Sequence, residues 1–342
     1  MADHTIGVGV IGLGFMGRTH VGCYAAAAAA GLPCRLVAVC DPVAERLTGR
    51  VEASGNLQVG QKSERLFDPA EVRGYSEPDG LLADPAVKLV SVCTYTDTHV
   101  DLAIRALRAG KHVLVEKPVA IASADVRRLA DEARGAATLC MPAMCIRFWP
   151  GWDWVHARVK DGSLGRVRSA TFTRLGSGPT WAAGFYREES RSGGALVDLH
   201  IHDTDFVYHC FGKPAAVTST GSAQHLTTLY HYPGGPSHVA AEGAWDLAPS
   251  AGFRMHFLVN FEKASVEWDL WNKPTLRVHW PDRTEPIDPG AGAGYEAEVK
   301  HLVGAIAEGR RTLGATMDEA VVVAELLEAE RRSFESGRTV RV

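Results

Sequence analysis

The chain has 342 residues, 46% of them hydrophobic, and a net charge of −4. That length suits two domains with substantial cores, and a near-balanced charge without a long basic block argues against nucleic acid or an anionic membrane as the main partner. Its seven cysteines (Cys23, Cys34, Cys40, Cys93, Cys140, Cys145 and Cys210) lack C-x-x-C spacing and several lie in apolar runs, which predicts buried reduced thiols and a cytoplasmic protein; no run approaches the roughly 18 apolar residues of a membrane span.

Residues 5–11 (TIGVGVI) read as a buried strand, followed by an alanine-rich helix from Arg18 (RTHVGCYAAAAAA) that Gly31 and Pro33 stop. CRLVAVCD (34–41) reads as a second strand and PVAERLTGRVEASG (42–55) as a second helix opening on proline. KLVSVCT (88–94) and KHVLVEKP (111–118) are two further strands, separated by the helix HVDLAIRALRAG (99–110). Strands alternating with helices at this spacing predict a parallel, doubly wound sheet. After about residue 121 one more crossover helix, SADVRRLADEARGA, is expected, and from about 165 the pattern changes. RVRSATFTRLG, AAVTSTGSAQ, HVAAEGAWDL, FRMHFLVNFEKASVEWDL and TLRVHWPD alternate, carry aromatic and β-branched residues, and are separated by Gly/Pro turns. They predict a large, mainly antiparallel sheet in a second, α+β domain, with helices near 150–160, 194–210, 295–308 and 316–336. The expected division is 1–121 and 122–342, with the last helix a candidate for packing back on the first domain.

Behind the first strand stands GLGFMG, in which Gly12, Gly14 and Gly17 have G-x-G-x-x-G spacing around Phe15 and Met16. Between a strand and a helix this is the signature of a Rossmann dinucleotide-binding turn. Gly12 permits the tight turn, Gly14 lets a pyrophosphate approach the backbone, and Gly17 lets the helix pack close to the strand. The helix N-terminus then holds the diphosphate. Asp41 ends the second strand, where a carboxylate accepts hydrogen bonds from the ribose hydroxyls and repels a 2′-phosphate. NAD is therefore expected over NADP, although Arg46 lies within one helical turn.

The chain resembles the family of glucose–fructose oxidoreductase, inositol dehydrogenase and MocA-type proteins. The resemblance rests on the glycine motif with Asp41; SVCTYTDTHVDLAIRALRAGKHVLVEKPVAI with its E-K-P; RFWP followed by GSLGRV; GGALVDLHIHDTDF; and YEAEVKHLVGAIAEG, in the family's order over nearly the whole chain. Two departures, Tyr95 for proline and His200 for glycine, are expected to border nicotinamide or substrate. The resemblance implies a reaction centre of Lys117 and His202 supported by Asp198, with Thr94, His99, Glu116 and Lys117 on the nicotinamide side. On one helix beginning after Gly193-Gly194, Asp198 and His202 at i and i+4 would share a face, and the carboxylate would orient the imidazole.

His200, His202, Asp203 and Asp205 include ligand types for a metal, but on a helix the two histidines point roughly 200° apart, so no metal is expected. WPGWDW offers either a carbohydrate platform or core packing. Arg147 is placed among the substrate contacts, with bracing of a domain boundary as its alternative. The expected activity is an NAD-dependent dehydrogenase acting on a CH–OH group of a sugar, inositol or related polyol. Alternatives are glycoside cleavage or epimerisation with recycled NAD, and a dihydrodiol dehydrogenase-like reaction. The resemblance also implies a homo-oligomer, dimer or tetramer, formed through the second domain's sheet.

Overall fold

The computed structural model describes residues 5–50, 65–180 and 182–342. Contacts divide it into two compact units: Met1–Cys145 with Ala293–Val321, and Ile146–Gly292 with Val322–Val342.

The first unit is built on β1 (Ile6–Ile11), α1 (Phe15–Ala29), β2 (Cys34–Cys40), β3 (Arg73–Tyr75), α2 (Pro78–Ala83), β4 (Leu89–Val92), α3 (Thr96–Arg108), β5 (His112–Val115), α4 (Ser123–Gly135) and β6 (Cys140–Pro142). Its six strands lie in the order β3-β2-β1-β4-β5-β6, every neighbouring pair parallel. Helices cover such a sheet on both faces, so its central strands are apolar throughout, and every residue of β1 and β4 is buried. Because β6 completes the sheet edge, the compact unit runs past residue 121.

The expected helix over 42–55 is not formed as such. Ala44–Thr48 is a short 3-10 turn closed by Gly49 in the left-handed region at φ 75°, and Arg50 pairs with Arg65 in an isolated bridge. Residues 51–55 of that expectation lie outside the described residues. All seven cysteines are buried thiols.

The second unit opens with α5 (Trp152–Asp161) and β7 (Val167–Leu175), followed by the short helices α6 (Ala183–Tyr186), α7 (Glu189–Ser192) and α8 (Gly194–Asp198), then α9 (Ile201–Phe211). Next come β8 (Ala216–Gly221), β9 (His225–His231), β10 (His238–Ala244), β11 (Arg254–Phe261), β12 (Ser265–Asp269), β13 (Leu276–His279) and β14 (Thr284–Ile287). The chain returns to the first unit as α10 (Gly294–Ala307), passes through α11 (Met317–Ser336), whose residues divide between the units after Val321, and ends in β15 (Val340–Arg341).

The nine-stranded sheet has the order β14-β13-β12-β11-β7-β10-β9-β8-β15, antiparallel except for the parallel pair β7–β10. One face is covered: Trp152 is fully buried with its ring against Phe172, Phe206, Phe257 and Trp268. Trp149 is buried as well, so these two tryptophans are core and not a carbohydrate platform. The other face presents, directly opposite one another on successive strands, Glu267, Leu258, Thr171, Ala240, Leu229 and Thr218. Leu258 and Leu229 are 39% and 38% exposed there.

Candidate active site

The glycine turn joins β1 to α1 with a separate reason for each glycine. Gly12 sits at φ 88°, and a Cβ there would come within 2.6 Å of the Cys93 carbonyl oxygen. A Cβ on Gly17 would lie 1.7 Å from the Gly12 oxygen, so the helix start packs directly on the turn. Gly14, by contrast, has no atom of the described residues beyond its own stretch of chain within 4 Å of such a Cβ. The chain's own packing makes no demand for glycine at position 14, which leaves an open backbone at the N-terminus of α1 with no acidic residue in its first turn. That arrangement fits a dinucleotide diphosphate. Phe15 and Met16 form the first helical residues beside it.

Asp41 is buried just past β2. One oxygen, Oδ2, accepts the Leu13 N–H at 2.7 Å, and the other, Oδ1, accepts the Val43 N–H at 2.9 Å. Arg46 does reach it, with Nη1 3.3 Å from Oδ2. Next to this pair lies a cavity of about 310 Å³ lined by Leu13, Arg18, Glu45, Arg46, Thr48, Arg50 and Leu66.

At the end of β5 the three residues of E-K-P part ways. Lys117 is half-buried and joined to Pro118 by a cis peptide bond, whereas Glu116 is 4% exposed. Both Glu116 oxygens are engaged: Oε1 lies 2.8 Å from His20 Nε2, and Oε2 accepts the Lys117 N–H at 3.1 Å. Through these contacts Glu116 braces the interior. His99 is engaged likewise. It is buried, with Nδ1 2.8 Å from the Pro118 carbonyl oxygen and Nε2 3.0 Å from that of Thr94. Burial lowers its pKa against the opposing effect of the two carbonyls, and the ring lies between the β4–α3 turn and the E-K-P turn. Thr94 itself is half-buried and its hydroxyl pairs with Thr98 at 2.6 Å. Tyr95 is 50% exposed.

In the second unit the expected helix 194–210 is two helices. Asp198 ends α8 and His202 is the second residue of α9, with Leu199 and His200 between them. The single-helix geometry that would place Asp198 and His202 one turn apart is therefore corrected. The break occurs where the His200 N–H reaches back to the Ala195 oxygen at 2.7 Å and the His202 N–H takes the Leu199 oxygen at 3.3 Å. Asp198 is half-buried and His202 is 8% exposed.

The neighbouring ligand-type residues are committed elsewhere. His200 is fully buried, its Nε2 3.2 Å from Glu330 Oε2, while Tyr230 and Thr204 donate hydroxyls to Glu330 Oε1 at 2.9 and 3.0 Å. It borders this internal network, contrary to the expectation that it would face nicotinamide or substrate. Asp203 pairs with Arg174 at 2.9 and 3.1 Å. Asp205 holds Arg147, with Nη2–Oδ1 at 2.6 Å and Nε at 3.1 and 3.0 Å from the two oxygens. The Arg147 side chain is 2% exposed and its guanidinium is bound sidelong by a buried carboxylate, an arrangement that suits the bracing alternative.

Sequence reasoning missed His20 and Glu298. Each is a polar residue on an otherwise largely apolar buried helix face, His20 beside buried Val21 and Glu298 beside buried Val299 and Leu302, and only the three-dimensional fold brings the two together.

Residues 6–144 match the family description "Oxidoreductase family, NAD-binding Rossmann fold", and residues 152–269 match the GFO/IDH/MocA C-terminal domain. A trans-1,2-dihydrobenzene-1,2-diol dehydrogenase from Bos taurus is 27% identical over 77% of this chain and 82% of its own length. Among solved structures, GenD2 from gentamicin A biosynthesis in complex with NAD is 26% identical at a TM-score of 0.79, covering 99% of this chain and 96% of that one. A levoglucosan dehydrogenase in complex with NADH and levoglucosan is alike in fold, with TM-score 0.84, 21% identity and 99% coverage of both chains. With its parallel six-stranded nucleotide unit and nine-stranded second sheet, the chain belongs to the Gfo/Idh/MocA family of NAD-binding oxidoreductases.

Proposed function

We propose that this oxidoreductase is an NAD-dependent dehydrogenase that oxidises a secondary alcohol of a sugar, inositol or related polyol. The observation that carries the reading is the division within E-K-P. Glu116 is locked inside, while Lys117 remains half-exposed at the carboxyl end of β5, the end where open α/β sheets take their ligands. Gly12, Gly14, Phe15, Met16 and Gly17 hold the cofactor diphosphate, Asp41 its ribose, and Thr94 the nicotinamide side. Bound NAD supplies the hydride acceptor. His202 takes the hydroxyl proton, Asp198 orients His202 from the end of the preceding helix, and Lys117 donates to the alcohol oxygen as negative charge develops. The first unit serves the cofactor and the second the substrate. The exposed Leu258 and Leu229, in one row across the open sheet face, support self-association through the second sheet. Asp41 favours NAD over NADP.

A second reading, oxidation of a trans-dihydrodiol, is supported by the relative from Bos taurus. The experiment is a panel of polyols, sugars, trans-dihydrodiols and glycosides assayed for NADH formation, with product analysis for the glycosides. NADH formed on a polyol or sugar supports the first reading. NADH formed on dihydrodiols alone replaces it with the second, and glycoside cleavage without net NADH replaces both.

A further inference from the structure

Behind the E-K-P turn three ionisable side chains from three elements of the first unit meet in the interior. His20 comes from α1, Glu116 from the end of β5 and Glu298 from α10, with one ligand-type atom of each within 4.8 Å of the others. All three are buried, Glu298 and His20 completely. A hydrogen-bonded chain runs from Tyr24, whose hydroxyl lies 2.8 Å from Ser91 Oγ, to His20 Nδ1 at 3.1 Å from that oxygen, and on to Glu116 through Nε2. One set of proton positions satisfies it throughout: Tyr24 donates to Ser91, Ser91 to Nδ1, and the Nε2–H to Glu116. Glu116 is then fully engaged as an acceptor. Glu298 is not: neither of its oxygens has a hydrogen-bond partner among the described residues.

A second ionised carboxylate here, without a donor and beside Glu116, would be a buried unpaired charge next to a like charge. Among the described residues, the other titratable groups facing the cluster offer no compensating cation. Cys23 on α1 and Cys93 after β4 are thiols that burial, with Glu298 and Glu116 contributing, pushes up (Cys23 to about 12). Lys300, on the same helix as Glu298, is held by Glu296 at 2.5 Å.

We infer that Glu298 is a positioning residue that keeps its proton, leaving Glu116 the single anion of the cluster and so holding in place the backbone from which Lys117 projects. Burial and the Glu116 charge both raise the Glu298 pKa well above the ordinary carboxylate range, in the direction the geometry requires. The inference rests on the reading of Lys117 as a reaction-centre residue, and it adds a role for a helix that arrives from the far end of the chain.

The test uses the full-length protein and two variants. Glu298→Gln keeps the volume, neutrality and donor capacity of a protonated acid, while Glu298→Ala removes them. Infrared spectroscopy at about pH 8, where an ordinary glutamate is ionised, should show a carboxylic-acid carbonyl stretch in the wild type that Glu298→Gln lacks. On a substrate found by the panel, Glu298→Gln should retain kcat within about twofold. Glu298→Ala should lose about tenfold or more, the scale seen for residues that orient a working side chain, with NADH affinity little changed. An absent acid band, a band that persists in Glu298→Gln, or a Gln variant as slow as the Ala variant each overturns the inference. Because the band is read without turnover, it stands or falls separately from the reading of Lys117, which the Lys117→Met variant decides.

Discussion

Arg147 and Asp205 form a bidentate pair whose side chains are 2% and 1% exposed, so replacing Arg147 by methionine takes the guanidinium's charge and donors away from a buried carboxylate. Breaking a buried pair from one side costs about 3–5 kcal/mol, because the remaining charge is uncompensated. For a unit of this size each kcal/mol moves the melting temperature by about 2–4 °C, so the second unit's transition should fall by roughly 6–20 °C. The double variant Arg147→Met/Asp205→Leu removes both charges and should recover at least half of the loss, since apolar replacement of a whole buried pair is often close to neutral. Scanning calorimetry of the wild type, both single variants and the double variant closes the cycle. KM on the substrate identified by the panel, measured well below the lowest transition, should not change for Arg147→Met. A transition that stays within about 1 °C of the wild type, together with a raised KM, would refute the structural role and return Arg147 to the substrate.

Lys117→Met and His202→Ala should each reduce kcat by roughly 10²-fold while NADH affinity, read by fluorescence titration, stays within a few fold; Asp198→Asn should lose less. Asp41→Ser should raise NADPH affinity by about tenfold or more by removing like-charge repulsion, and Arg46→Ala in that background should take much of the gain away. His156 and His209 stack at 3.7 Å, and burial, followed by the charges of Lys160 and Arg147, lowers their pKa values to about 4 and about 2. Both folded values lie below the ordinary 6.5, so the stability they contribute is complete above about pH 6.5 and is lost as pH falls toward 4. His209→Phe should therefore flatten the decline of melting temperature over that window.

What could be read from the sequence was what is local. β1, β2, β4 and β5 are continuous apolar runs because both faces of a parallel sheet are covered, and the glycine turn with Asp41 is a short-range pattern. Three-residue strands such as β3 and β6 carry too little periodicity to be seen, and HLTTLYH of β9 is too polar to stand out. The break between α8 and α9 was hidden because the apolar pattern continues across Leu199; what accompanies it is His200 seated against Glu330, far away in sequence. The partner of Arg147 was hidden for the same reason, lying 58 residues on. Lys117 was readable as a candidate from the motif, but the orphaned carboxyl behind it could be found only once α10 had been placed.

The return of α10 to the first unit bears on how the protein is made. It packs against α1 and carries Glu298 into the interior behind β5. A ribosome delivers α1 and all six strands of the first sheet, then must add the whole run from Ile146 to Gly292 before α10 exists. Throughout that interval the α1 surface that α10 will cover is exposed, a condition that favours aggregation of nascent chains. A fragment ending at Cys145 would remain permanently in that state, so cofactor-binding studies on an isolated N-terminal piece should graft residues 293–321 back onto it.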